Sequence, residues 1–244
     1  APDRISFRRL VQVSPLAVVG MVFVGIVVSM LFGMGSVYGR SIGLNNTQVG
    51  YFMASITLGT LALQYPIGRL SDRFDRRIVI FGVAVIAGIA ISIAGFFGVD
   101  QFISLFILML VFGGLLFSLY SLFIAHANDY LPPSQMVAMS SGLLMINSAG
   151  AVIGSPLAAS VIEFVGTRGF MPTIAGFLFL LAGFVLYRMS MRGAVPAEAQ
   201  GVFVAIPDAS SGVAVNLSPE VEWVMDQDED NDENDPFKNN PYVD

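Results

Sequence analysis

Between Pro15 and Ser190 the sequence runs through six apolar stretches, with charge confined to the breaks between them. A bilayer core about 30 Å thick is crossed by about 20 apolar residues in a helix, and each stretch reaches that length. Hydrocarbon leaves backbone N–H and C=O groups nothing external to bond, so a spanning chain must be helical or a closed barrel. The stretches show no alternation of period two, which excludes the barrel. The chain therefore reads as an all-α membrane protein. Composition agrees: 12% of residues are charged and 55% apolar, against about 25% charged in soluble domains.

The breaks set the predicted helices at 15–38, 47–70, 77–97, 101–128, 134–164 and 170–190. Turn and cap chemistry marks them: Asn45-Asn46-Thr47, Gly98-Val99-Asp100, Pro132-Pro133-Ser134 and Gly166-Thr167-Arg168-Gly169. Three regions follow, namely a basic linker over 1–13, a six-helix bundle over 14–191, and an acidic tail over 192–244. The net charge of −6 averages unlike parts. The tail holds the run Asp226 to Asp235 and reads as solvated and disordered, because like charges repel and no core forms.

With the N-terminus in the cytoplasm, Arg4, Arg8, Arg9, Arg69, Arg73, Arg76, Arg77, Arg188 and Arg192 share that side. Only Arg40 and Arg168 face out, which is a strong positive-inside bias. An even number of spans puts both termini in the cytoplasm. A weak internal repeat is also visible: Thr47-Gln48 and Pro66 in the second span against Ser134-Gln135 and Pro156 in the fifth, and Phe32-Gly33 against Phe112-Gly113. It predicts two three-helix units of inverted topology.

Polar side chains within spans are the functional suspects, since lipid leaves them without partners. They concentrate in the first, second, fourth and fifth spans, which are expected to surround a cavity, with the third and sixth facing lipid. Thr57, Thr60, Gln64, Ser118, Tyr120, Asn147 and Ser148 are the candidate substrate contacts. For the Ser and Thr residues the competing role is a back-bond to the helix's own carbonyl; for Asn147 it is joining two helices. His126 is the only titrating side chain available within the spans, and it lies near the cytoplasmic end, where bonding to the loop is the competing role. Gly150, Gly154 and Pro156 read as close helix packing followed by a kink, or as a gating hinge. No arrangement for catalysis, metal ligation or phosphate cradling is visible, so no enzyme activity, cofactor or metal is expected, and nothing points to nucleic acid.

The loop Gly68–Arg77 resembles the cytoplasmic signature of the major facilitator superfamily, Gly-x-x-x-Asp-Arg-x-Gly-Arg-Arg. Gly68, Asp72, Arg73, Arg76 and Arg77 match, and Asp75 stands where the family has Gly. Residues 126–136 and 140–144 are similar to the YcaD-like group of bacterial drug/sugar-type facilitators. The resemblance implies an inner-membrane carrier working by alternating access. It also implies a charge cluster of Asp72, Arg76 and Asp129 that locks one state. Asp72 is expected to cap or face a helix N-terminus; Arg76 and Arg77 are expected to pair with carboxylates or lipid phosphates. Such carriers have twelve helices, so the chain reads as one six-helix half. The start at Ala1, the basic linker and the acidic tail favour the C-terminal half. Its expected partners are lipid, the other half or a second copy, and a small organic or drug-like substrate. The alternative from another class is a non-transporting receptor or scaffold acting through its acidic tail.

Overall fold

The computed structural model describes residues 7–97 and 99–191. The acidic run, Arg4 and Arg192 lie outside them. The helices are α1 (Phe7–Val13), α2 (Pro15–Ser41), α3 (Asn46–Arg73), α4 (Arg76–Ala94), α5 (Phe102–Asn128), α6 (Pro133–Phe164) and α7 (Phe170–Met191). Helix α1 falls where a linker was expected, and its Leu10 is buried in the core. The third span ends at Ala94 rather than Phe97, because Gly95 and Phe96 turn the chain.

Local chemistry sets the ends. Ser14 caps α2 by accepting from the Ala17 amide at 3.3 Å, with Pro15 in the first turn where its missing N–H costs nothing. Asn45 and Gln48 form a reciprocal capping box on α3, at 2.9 and 3.0 Å. Gly43, at φ 96°, makes the turn between α2 and α3, a conformation that a Cβ would strain.

Among the described residues, five helices are long and apolar enough to cross a membrane: α2, α4, α5, α7 and the bulk of α6. The exception is α3, which at 28 residues has the length but carries Gln48, Ser55, Thr57, Thr60 and Gln64 along it. Helix α2 packs chiefly on α6, α3 on α5, and α4 on α7 and α5.

The two long seams are set by glycine. A Cβ on Gly154 would strike the Ile26 carbonyl, and one on Gly150 the Val22 carbonyl, so α6 lies backbone to backbone on α2. Gly59 and Gly113 do the same between α3 and α5, facing the carbonyls of Leu110 and Ile56. Where lipid removes the hydrophobic drive for helices to associate, such contact supplies the dispersion that holds them. Large apolar side chains point outward from α3, α4, α6 and α7, among them Leu61, Ile86, Val152 and Leu180.

Candidate functional site

Helix α3 ends at Arg73 because Phe74 takes an extended conformation. Asp75 then caps α4, its carboxylate accepting from the Arg77 amide at 2.9 Å. The cap of α4 is thus Asp75, while Asp72, expected to cap or face a helix N-terminus, lies in the last turn of α3. Arg76 opens α4 and reaches to Asp129, the residue closing α5, at 2.8 Å. Its other terminal nitrogen lies 3.4 Å from Asp72. The side chains of Arg76 and Asp129 are 2% and 3% exposed, while Asp72 is 33% exposed. Beside this pair, Arg77 donates to the Tyr130 hydroxyl at 3.1 Å. Two successive arginines thus fasten the start of α4 to the end of α5.

The pair sits against its local fields. Arg76 is a cation at a helix N-terminus and Asp129 an anion at a helix C-terminus, each the unfavourable choice for the macrodipole by about 0.3–1 kcal/mol. The charges are tolerated because they meet each other. Gly68, one turn before Asp72, is buried, and Arg73 is exposed.

The mid-span candidates divide. Asn147 is buried and donates to the Met21 carbonyl at 3.3 Å, joining α6 to α2. Gln64 donates to the Ser121 hydroxyl at 2.8 Å, joining α3 to α5. Ser118, Ser148 and Thr60 back-bond to carbonyls of their own helices, Gly114, Leu144 and Ile56. Tyr120 is buried, while Thr57 and Ser148 are exposed. The set is thus divided among helix-to-helix bonds, back-bonds and exposed positions. His126 is buried with its ring edge-on to Tyr130, centroids 5.3 Å apart. Pro156 lies inside α6, which runs through it without a break.

The family model of the Major Facilitator Superfamily matches residues 17–217. The chain belongs to that superfamily. Among its relatives are proteins named "Uncharacterized MFS-type transporter YcaD" from Salmonella newport, Salmonella dublin and Salmonella agona. Each is 32% identical over 159 residues, 65% of this chain and 40% of the relative. The chain thus spans less than half the length of these relatives. Together with the apolar helices, membership makes it a multi-pass membrane protein.

Asp75, the departure from the superfamily's signature, has a local explanation. Its φ of −53° is open to any residue, so glycine is not required there, and the carboxylate supplies the cap. One further junction escaped the sequence reading. The Ser29 hydroxyl donates to the Ala151 carbonyl of α6 (2.5 Å) and accepts from the Ser155 amide (3.1 Å). Ser155 answers by donating to the Ser29 carbonyl at 2.8 Å. This junction lies one residue before Pro156. A serine opposite small residues near a helix proline was the available signal, but which helices face each other is not written locally.

Proposed function

We propose that this chain is a six-helix half of a bacterial inner-membrane facilitator that carries a small organic or drug-like solute by alternating access. The observation that carries the reading is the buried Arg76–Asp129 pair with Asp72 at its open edge. Such a cluster ties the α3–α4 loop to the end of α5, and breaking it frees that end to move. All six long helices span in this reading, α3 included, its polar side chains directed to protein or water rather than lipid. The pairing of helices supports an inverted repeat. Exchanging the first three spans with the last three maps α2–α6 onto α5–α3 and α4–α7 onto itself. The other half, or a second copy, covers the exposed faces of α3 and α6, where Thr57 and Ser148 look toward the pathway. Asn147, Gln64 and Ser118 then shape the wall from behind. Both termini lie in the cytoplasm.

The protein contains no cysteine, so single cysteines report without background. In inside-out and right-side-out vesicles, Arg73→Cys should react with a membrane-impermeant maleimide from the cytoplasmic side only. Thr57→Cys and Ser148→Cys should react at mid-depth, and Ile89→Cys on α4 should not. Equal silence at Thr57, Ser148 and Ile89 would remove the aqueous pathway, and labelling of Arg73 from outside would reverse the topology.

A further inference from the structure

Charge among the described residues is gathered at one end of the bundle. Val13, Ser14, Arg77, Tyr130 and Arg188 line one small cavity, so the starts of α2 and α4 and the ends of α1, α5 and α7 meet there. Helix α3 ends there too, since only Phe74 and Asp75 separate it from α4. This end holds Arg69, Arg73, Arg76, Arg77 and Arg188, and α1 adds Arg8 and Arg9. Asp72, Asp75 and Asp129 oppose them among the described residues. At the other end the described charges balance, Arg40 and Arg168 against Asp100 and Glu163.

Within that end the arginines differ. Arg76 is enclosed against Asp129, and Arg77 is buried and bonded to Tyr130. Arg69 and Arg73 are exposed and stand one turn apart on α3, so they share a face. The Arg69 guanidinium carbon lies 4.8 Å from the centre of the Tyr65 ring. A ring takes the flat face of a guanidinium and leaves the N–H groups around its edge to bond. Among the described residues neither Arg69 nor Arg73 enters an ion pair. Asp72, between them in sequence, lies 3.4 Å from Arg76.

The chain carries its own counter-charge. From Asp226 to Asp235, seven of ten residues are acidic. Such a density repels itself and is relieved by cations brought close. The segment follows Met191, where α7 ends at the basic end. A coil of about 34 residues, the length from 192 to 225, spans roughly 30 Å, about three helix diameters. A segment so tethered reaches any point of this end. Tethering also sets a local concentration on the order of millimolar, at which several weak exposed ion pairs acting together suffice. We infer that the acidic segment 226–235 docks on the Arg69–Arg73 face of α3, its carboxylates meeting the two guanidinium edges. The contact lays a band of negative charge beside the α3–α4 connection, and it does so whether or not the chain transports.

The test is a distance measurement in the whole chain, which has no cysteine of its own. Ile78→Cys, exposed in the first turn of α4, and Asn231→Cys are spin-labelled together and read by double electron–electron resonance in phosphatidylcholine nanodiscs. Docking should give a narrow distance peak below the roughly 30 Å of a free coil. Arg69→Gln with Arg73→Gln should reduce that population about fourfold, a factor of roughly two for each exposed pair lost. Asp228→Asn, Glu229→Gln and Asp230→Asn together should do the same. They alter no described residue, so they decide the matter if the arginine variant does not fold. Arg168→Gln, exposed at the opposite end, should change nothing. Raising salt to about 1 M, where the screening length falls to about 3 Å, should shrink the peak. Two outcomes hand the face to another occupant and overturn the inference. Loss of the peak on adding phosphatidylglycerol assigns it to anionic lipid, and loss on dilution with unlabelled chain assigns it to a second copy. A broad distribution without the labelled peak, or equal peaks with and without the arginine substitutions, overturns it as well.

Discussion

Asp129→Asn and Asp72→Asn each remove one carboxylate from Arg76, yet they should differ severalfold in cost. Asp129 meets Arg76 at 2.8 Å with both side chains almost fully enclosed. Without that charge the guanidinium stays in a nearly dry site, and breaking a buried pair on one side costs about 3–5 kcal/mol. Asp72 stands at 3.4 Å and is 33% exposed, so water already screens the interaction and its loss costs about 0.5 kcal/mol. The gap should therefore be at least about 2.5 kcal/mol. Equilibrium unfolding of the purified protein in mild detergent, driven by added dodecyl sulfate and followed by circular dichroism, measures both. A double-mutant cycle closes the argument: Arg76→Gln with Asp129→Asn removes both enclosed charges of the pair together, so the pair should show coupling of about 1.5 kcal/mol or more. In flux assays Asp72→Asn should still impair transport without affecting membrane insertion, since insertion depends on apolar length and, under the proposed function, transport depends on the charge cluster. Equal destabilisation by the two Asp variants, or additivity within about 0.5 kcal/mol, would refute the reasoning.

Two further outcomes follow from local geometry. Asp75→Ala should lower stability by about 1 kcal/mol through loss of the α4 cap, read in the same unfolding assay. Gly154→Ala should cost about 1–3 kcal/mol, because the new methyl strikes the Ile26 carbonyl and parts the α2–α6 seam. Gly82→Ala, with open space at its position, should be neutral or stabilising by up to about 1 kcal/mol. Reversal of that order by thermal stability in detergent would show that the seam is not close-packed.

Much of the fold is legible in residues alone, because hydrocarbon leaves an apolar stretch of about 20 residues little choice but a helix. The ends of α2, α3 and α6 are written by Ser14-Pro15, the Asn45–Gln48 box and Pro132-Pro133, whose chemistry acts over one turn. The loop from Gly68 to Arg77 is equally local, and its likeness to the facilitator signature agrees with the family match over residues 17–217. Distance in sequence marks the limit. Whether Asn147 turns to a substrate or to Met21 depends on which helix lies beside α6, and the same holds for Ser29 with Ser155 and Gln64 with Ser121. In each case the side chain's own chemistry allows both answers, and only the register of two packed helices selects one. Chain composition determined that helices form and that they are greasy; tertiary packing decided which polar groups meet, because a hydrogen bond in lipid is fixed by what stands opposite.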